Sequence, residues 1–150
     1  MNDPVDLYQE LILDHGRRPR NRRVIADRSH FAHSENPSCG DEVAVFLRVD
    51  QHGVIRDAAF QGQSCAIATA SASLMTEVLA GKTTAQAKNL SDRLHALATG
   101  GAQPPLDGME AEVELLSILA GLRDYPSRVR CATLAWQTMI TALEVPQEAL

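Results

Sequence analysis

The chain has 150 residues, 45% of them hydrophobic and 22% charged, with a formal net charge of −5. This is the make-up of an ordinary globular protein with chain enough for one domain, residues 1–150, and for a core held without disulfides. The acidic balance speaks against non-specific nucleic-acid binding, and no apolar run reaches the roughly 18–20 residues that cross a bilayer, so neither nucleic acid nor membrane is an expected partner. No basic and then apolar leader opens the sequence. Three cysteines, an odd number, argue against a disulfide framework and for a reducing, cytoplasmic setting.

The first stretch, residues 3–15, predicts an amphipathic helix. Asp3 serves as N-cap, Pro4 takes the first helical position, Leu7, Tyr8, Leu11 and Ile12 form one stripe, and Gly16 is the stop. Arg17, Arg18, Arg20, Arg22 and Arg23 then crowd five arginines into seven residues. They read either as a solvated loop or as a docking patch for an acidic partner protein; without interleaved aromatics they do not suit nucleic acid.

From about 29 to 63 the period approaches two. Val43, Val45, Leu47 and Val49 alternate with Ala44, Phe46 and Arg48, which suits a strand covered on both faces over part of its length. Residues 50–53 form a hairpin turn, 54–61 the returning strand, and 29–34 a short third strand. The expected fold class is therefore α+β: a small antiparallel three-stranded sheet packed by helices on one side.

The helices follow. Residues 66–79 carry a stripe of Ile67, Ala70, Leu74, Met75 and Val78 and close at Gly81. Residues 84–98 form a second helix and 110–122 a third, with acids in its first turn as the helix dipole favours. Residues 99–109 connect them. Ser127 is the expected N-cap of a last helix over 128–143, whose stripe is Val129, Ala132, Trp136, Met139, Ile140 and Leu143. Trp136 and Met139 read as core. Ser71 and Ser73 read as allowing close helix packing. His15, His30, His52 and His95 read as surface or capping residues.

Chemistry concentrates at the cysteines. Cys39 lies in a turn built by Pro37 and Gly40, with Asp41 two residues on; glycine allows the sharp bend that aims a sulfur and an oxygen at one point. Cys65 directly precedes one helix and Cys131 falls in the first turn of another, where unsatisfied N–H groups and positive dipole favour thiolate. Counting 100° per residue, Cys131 points roughly 140° from the apolar stripe of its helix, beside Ala135 and Thr138. Arg128 and Arg130 flank it as electrostatic support or as plain solvated residues. Cys39, Asp41, Cys65 and Cys131 suit one tetrahedral site for zinc, with the carboxylate as the least matched ligand, and the same thiolates suit iron–sulfur chemistry. The competing reading is that each cysteine is a small buried apolar residue, and no Cys-x-x-Cys spacing decides between them.

Four motifs in order carry a resemblance over nearly the whole chain: 11–21, with Leu11 to His15 followed by the arginines; Asn36 to Asp41; Ser64 to Ser73; and Tyr125 to Trp136. Together they resemble the iron–sulfur cluster assembly scaffold family (NifU N-terminal and IscU-like proteins), most of all its zinc-dependent SufU branch. That branch has an insertion before the third cysteine and a basic residue just ahead of it, here Arg130, where the IscU branch has histidine. The resemblance implies an α/β sandwich and a Zn2+ site of Cys39, Asp41, Cys65 and Cys131. It also implies a SufS-type cysteine desulfurase as partner, persulfide sulfur passing to Cys39, and delivery to downstream iron–sulfur assembly or apo acceptor proteins. The chain departs from the family at Ser64, where glycine is usual, at Thr69, where serine is usual, and at Gly16, often aromatic or polar. Alternatives are a scaffold that itself carries a transient 2Fe–2S cluster, a zinc-stabilised protein-binding module, and a thiol hydrolase pairing Cys39 with one of the five histidines, of which the nearest in sequence, His33, sits in no recognisable catalytic setting. The first reading makes the chain a sulfurtransferase-like accessory protein rather than a stand-alone enzyme.

Overall fold

Alternation along the central strand decides which side of the sheet is buried. The computed structural model describes residues 4–36, 40–99, 108–117, 119 and 126–144. Three antiparallel strands, β1 (His30–Asn36), β2 (Asp41–Val49) and β3 (Ile55–Gln61), lie in the order β1-β2-β3. Val43, Val45 and Leu47 of β2, with Ala32 of β1 and Ala58 and Phe60 of β3, join the main core on the helix side. The intervening Phe46 and Ala59 point the other way and bury with Ile25 in a smaller cluster, flanked by Phe31 and Ala44. Arg28 stacks 5.4 Å from the ring centres of both Phe31 and Phe46, closing that second face. The alternation therefore serves two unequal layers.

The β2–β3 hairpin is locked by Asp50. Its carboxylate accepts the His52 and Val54 backbone N–H groups at 2.8 and 3.0 Å and Arg56 Nε at 2.7 Å. These bonds, the Val54 amide foremost, hold its pKa down at about 2. Gly53 takes φ +76°, which the turn requires.

Among the described residues five helices accompany the sheet: α1 (Pro4–Arg17), α2 (Ala66–Leu79), α3 (Thr84–Thr99), α4 (Glu110–Leu116) and α5 (Pro126–Glu144). α1 runs through Gly16 instead of ending there. A glycine costs a helix only about 1 kcal/mol, and here a Cβ at position 16 would come within 3.3 Å of the Ala66 carbonyl oxygen, so the bare Cα lets α1 lie against α2. The proposed N-cap Asp3 lies outside the described residues, as do 100–107 and, within the expected third helix, 118 and 120–122. α3 starts with a reciprocal cap: Thr83 Oγ1 accepts Gln86 N–H, and Gln86 Oε1 accepts Thr83 N–H.

α5 begins two residues earlier than expected, because Pro126 has the fixed φ that suits a first helical turn and no N–H to leave unpaired. Ser127 is thus inside the helix and not its N-cap, and Cys131 is its sixth residue, beyond the first turn. α5 also packs on two sides, against β1 and β2 and against α2 and α3. Its burial accordingly differs from a single stripe: Ala135 and Thr138 are fully enclosed, while Val129, Ile140 and Leu143 are only partly covered.

Candidate metal centre

Gly40 opens the site, with φ +72° and its N–H bonded to Asn36 O at 3.0 Å. Asp41 follows as the first residue of β2 and is 4% exposed. The next residue, Glu42, fastens β2 to the loop beyond β3: its N–H donates to Gln63 O at 2.8 Å, and its C=O accepts Ser64 Oγ–H at 3.3 Å. That approach is possible because residue 62 is glycine. Gly62 has φ +132°, and a Cβ there would lie 2.2 Å from Glu42 O. Ser64 needs no such backbone, since Asn21 is the one non-glycine with positive φ among the described residues. The departure from the usual glycine at 64 is therefore accommodated, with its hydroxyl used to bind β2.

Cys65 is the N-cap of α2, and its Sγ accepts the Ala68 N–H at 3.4 Å. The Cys65 backbone N–H in turn donates to Asp41 Oδ1 at 2.9 Å, so the carboxylate also fixes where α2 begins. Cys131 arrives from α5 and is 2% exposed, outside the apolar cluster.

Ligand atoms of Asp41, Cys65 and Cys131 lie within 4.8 Å of one another. Zinc–ligand bonds of about 2.0–2.3 Å place neighbouring donors of a tetrahedron roughly 3.5–3.8 Å apart, so this set of two sulfurs and one oxygen fits zinc and leaves one position to fill. Cys39, two residues before Asp41, lies outside the described residues. Of the four ligands expected from sequence, three are brought together from three separate elements.

The helix pair carrying the sulfurs is clasped by a buried serine. Ser71 Oγ of α2 donates to Ala132 O at 2.5 Å, next to Cys131, and accepts Trp136 Nε1–H at 3.2 Å. A second clasp joins α1 to α2. His15 is not a surface residue: it is 3% exposed, with Nδ1 2.7 Å from Ser73 Oγ, which also accepts Arg20 N–H. Burial lowers its pKa, with Arg20 adding to the effect. Both serines are hydrogen-bonding partners as well as small residues. Nothing in a one-dimensional pattern marks them, although polar residues inside a stripe of Ala, Leu and Met were the available signal.

The arginine segment divides. Arg20 pairs with Asp14 at 2.5 Å and Glu77 at 3.4 Å, Arg23 pairs with Asp57 at 2.5 Å, and Arg22 donates to Gly62 O at 2.7 Å. Arg17 and Arg18 are exposed, as are Arg128 and Arg130 beside Cys131. Among the described residues no helix is long and apolar enough to cross a membrane.

The description "NifU-like N terminal domain" fits residues 7–132. The chain is 33% identical over 138 residues to the iron–sulfur cluster assembly scaffold protein IscU of Thermotoga maritima, covering 92% of this chain and 93% of that one. It is equally 33% identical over 135 residues to the zinc-dependent sulfurtransferase SufU of Bacillus subtilis, covering 89% and 86%. A crystal structure described as a putative cluster assembly scaffold for the SUF system, from Fervidobacterium islandicum, superposes with a TM-score of 0.81 at 29% identity, over 89% of this chain and 94% of that one. With its three-stranded sheet, its helical cover and its converging aspartate and cysteines, the chain belongs to the NifU N-terminal, IscU-like family, and its likeness to SufU sets it beside that branch.

Proposed function

We propose that this protein works in iron–sulfur cluster assembly, taking persulfide sulfur from a cysteine desulfurase onto Cys39, with Cys39, Asp41, Cys65 and Cys131 as ligands of a zinc ion. The observation that carries the reading is the meeting of Asp41, Cys65 and Cys131 within 4.8 Å, from a strand start, a helix N-cap and the second turn of another helix. Bound zinc would keep the thiolates deprotonated and shielded from oxidation.

The protein's own residues account for the transfer. The Cys39 thiolate attacks the outer sulfur of the desulfurase persulfide; the S–S bond to the desulfurase cysteine breaks, a new S–S bond forms on Cys39, and the desulfurase departs as thiolate. Electrons balance without an added oxidant or reductant. Asp41, next to Gly40, holds the start of α2 through the Cys65 amide while Cys39 engages. Exposed Arg17 and Arg18 are the arginines of the loop best placed to meet an acidic partner surface, and Arg128 and Arg130 add positive charge beside Cys131.

With a desulfurase and cysteine, the protein should speed turnover and gain a persulfide mass of one sulfur on Cys39, and Cys39→Ala should abolish both. Full stimulation by Cys39→Ala sinks the acceptor reading. The second reading, a scaffold that assembles a 2Fe–2S cluster, draws on the likeness to IscU scaffolds. Anaerobic reconstitution followed by Mössbauer spectroscopy and transfer to an apo acceptor supports it if a cluster forms and moves, and removes it if zinc stays in place and no cluster transfers. A protein that holds zinc yet never carries a persulfide or a cluster is a zinc-stabilised binding module.

A further inference from the structure

A separate group of ligand-type side chains lies on the other face of the sheet. His33 and Glu35 are alternate residues of β1 and share a side, and Glu42 of β2 is the direct cross-strand partner of Glu35. Their ligand atoms all lie within 4.8 Å of one another, and His33 Nε2 is 3.8 Å from Glu42 Oε2. Asp41, one residue earlier on β2, faces the opposite way, so the two groups are back to back.

We propose that His33, Glu35 and Glu42 form a second cation site, for a divalent first-row transition ion of the Fe2+ or Mn2+ kind. Two carboxylates directly opposed on paired strands repel one another, and a cation between them would turn that repulsion into attraction. His33 makes the group more than a pair of acids. Its cross-strand partner is Ala44, whose methyl group leaves the imidazole room to lean toward Glu42. One imidazole nitrogen with two carboxylate oxygens suits a borderline-to-hard divalent ion, whereas the sulfur-rich centre selects softer chemistry. His33 and Glu35 are exposed, so water completes the coordination and the ion exchanges readily.

Paired strands hold the ligands in register. Glu42 is fixed further by its backbone bonds to Gln63 and Ser64, the residues leading into Cys65. An ion here sits one residue along β2 from Asp41. For a protein that builds or feeds clusters it would be the metal half of the cargo, held apart from the thiolates. The binding itself does not depend on that role.

Manganese titration of the purified, zinc-loaded protein, with free Mn2+ read by electron paramagnetic resonance and zinc content measured in parallel, tests the site. The expected result is one saturable Mn2+ per chain, weakened about tenfold or more by either His33→Ala or Glu42→Gln, with zinc retained throughout. Absence of saturable uptake, an affinity in both variants unchanged from that of the parent protein, or loss of one zinc for each Mn2+ gained would overturn it. Failure of the zinc reading appears separately, as protein purified without zinc.

Discussion

A Cβ at position 62 would meet the Glu42 carbonyl oxygen at 2.2 Å on a backbone of φ +132°, so contact and conformation both require glycine there. Gly62→Ala is expected to cost about 3 kcal/mol in urea unfolding. On the zinc reading it should also loosen the ion, because the displaced strand carries Asp41; an unchanged midpoint with full zinc would show that the loop yields without harm. The grouping of Asp41, Cys65 and Cys131 was suggested by the sequence because sulfur and carboxylate are chemically conspicuous. Gly62 was not, since a glycine after a strand announces a turn without naming the backbone it must pass. His15 was misplaced for a related reason: a histidine at a helix end looks solvated until the helix across from it is known.

Among the elements, α2 is held to α5 and to α1 by different serines. Removing Ser71 leaves the Trp136 indole N–H buried without its acceptor, so Ser71→Ala should lose about 1–3 kcal/mol. Calorimetry checks the loss. A neutral result would mean that the indole finds another acceptor. At the α1 contact the sign of the pH effect follows from His15. Its pKa is lowered in the folded state, so the unfolded chain binds the proton more readily, and stability falls as pH drops below about 6.5, the ordinary histidine value. Asp14, Arg20 and Glu77 are the charged groups around it. His15→Gln should flatten the slope of the unfolding midpoint between about pH 7 and 5. An identical slope would assign it to other groups. Strands and helices were largely readable from periods of two and of 3.6 residues. The burial of α5 was not, because one helical stripe cannot reveal that a second layer packs on the opposite side.

For the molecule as a whole, acid sensitivity follows from Asp14, Asp50 and Asp57, each held below the ordinary carboxylate range by backbone N–H groups or by Arg20, Arg56 and Arg23. Their stabilisation is complete above the unfolded-state value of about 4. It is lost as pH falls toward the folded values, about 2 for Asp50. The midpoint of thermal unfolding should therefore drop steeply below pH 4, and a flat profile there would discount these bonds. On the zinc reading, a strong chelator should lower the melting temperature at neutral pH, with recovery on adding zinc back, because the thiolates and a carboxylate lose the cation between them.

Asp41 Oδ1 has a fixed donor, the amide of Cys65 at 2.9 Å. A ligand whose only attachment is to metal swings into solvent when it lets go, and each return is a fresh search. A carboxylate moored to its own helix start makes no such excursion. On the zinc reading, an exchange at Asp41 would be a local swap repeated in place, with no receiver to rebuild between one release and the next.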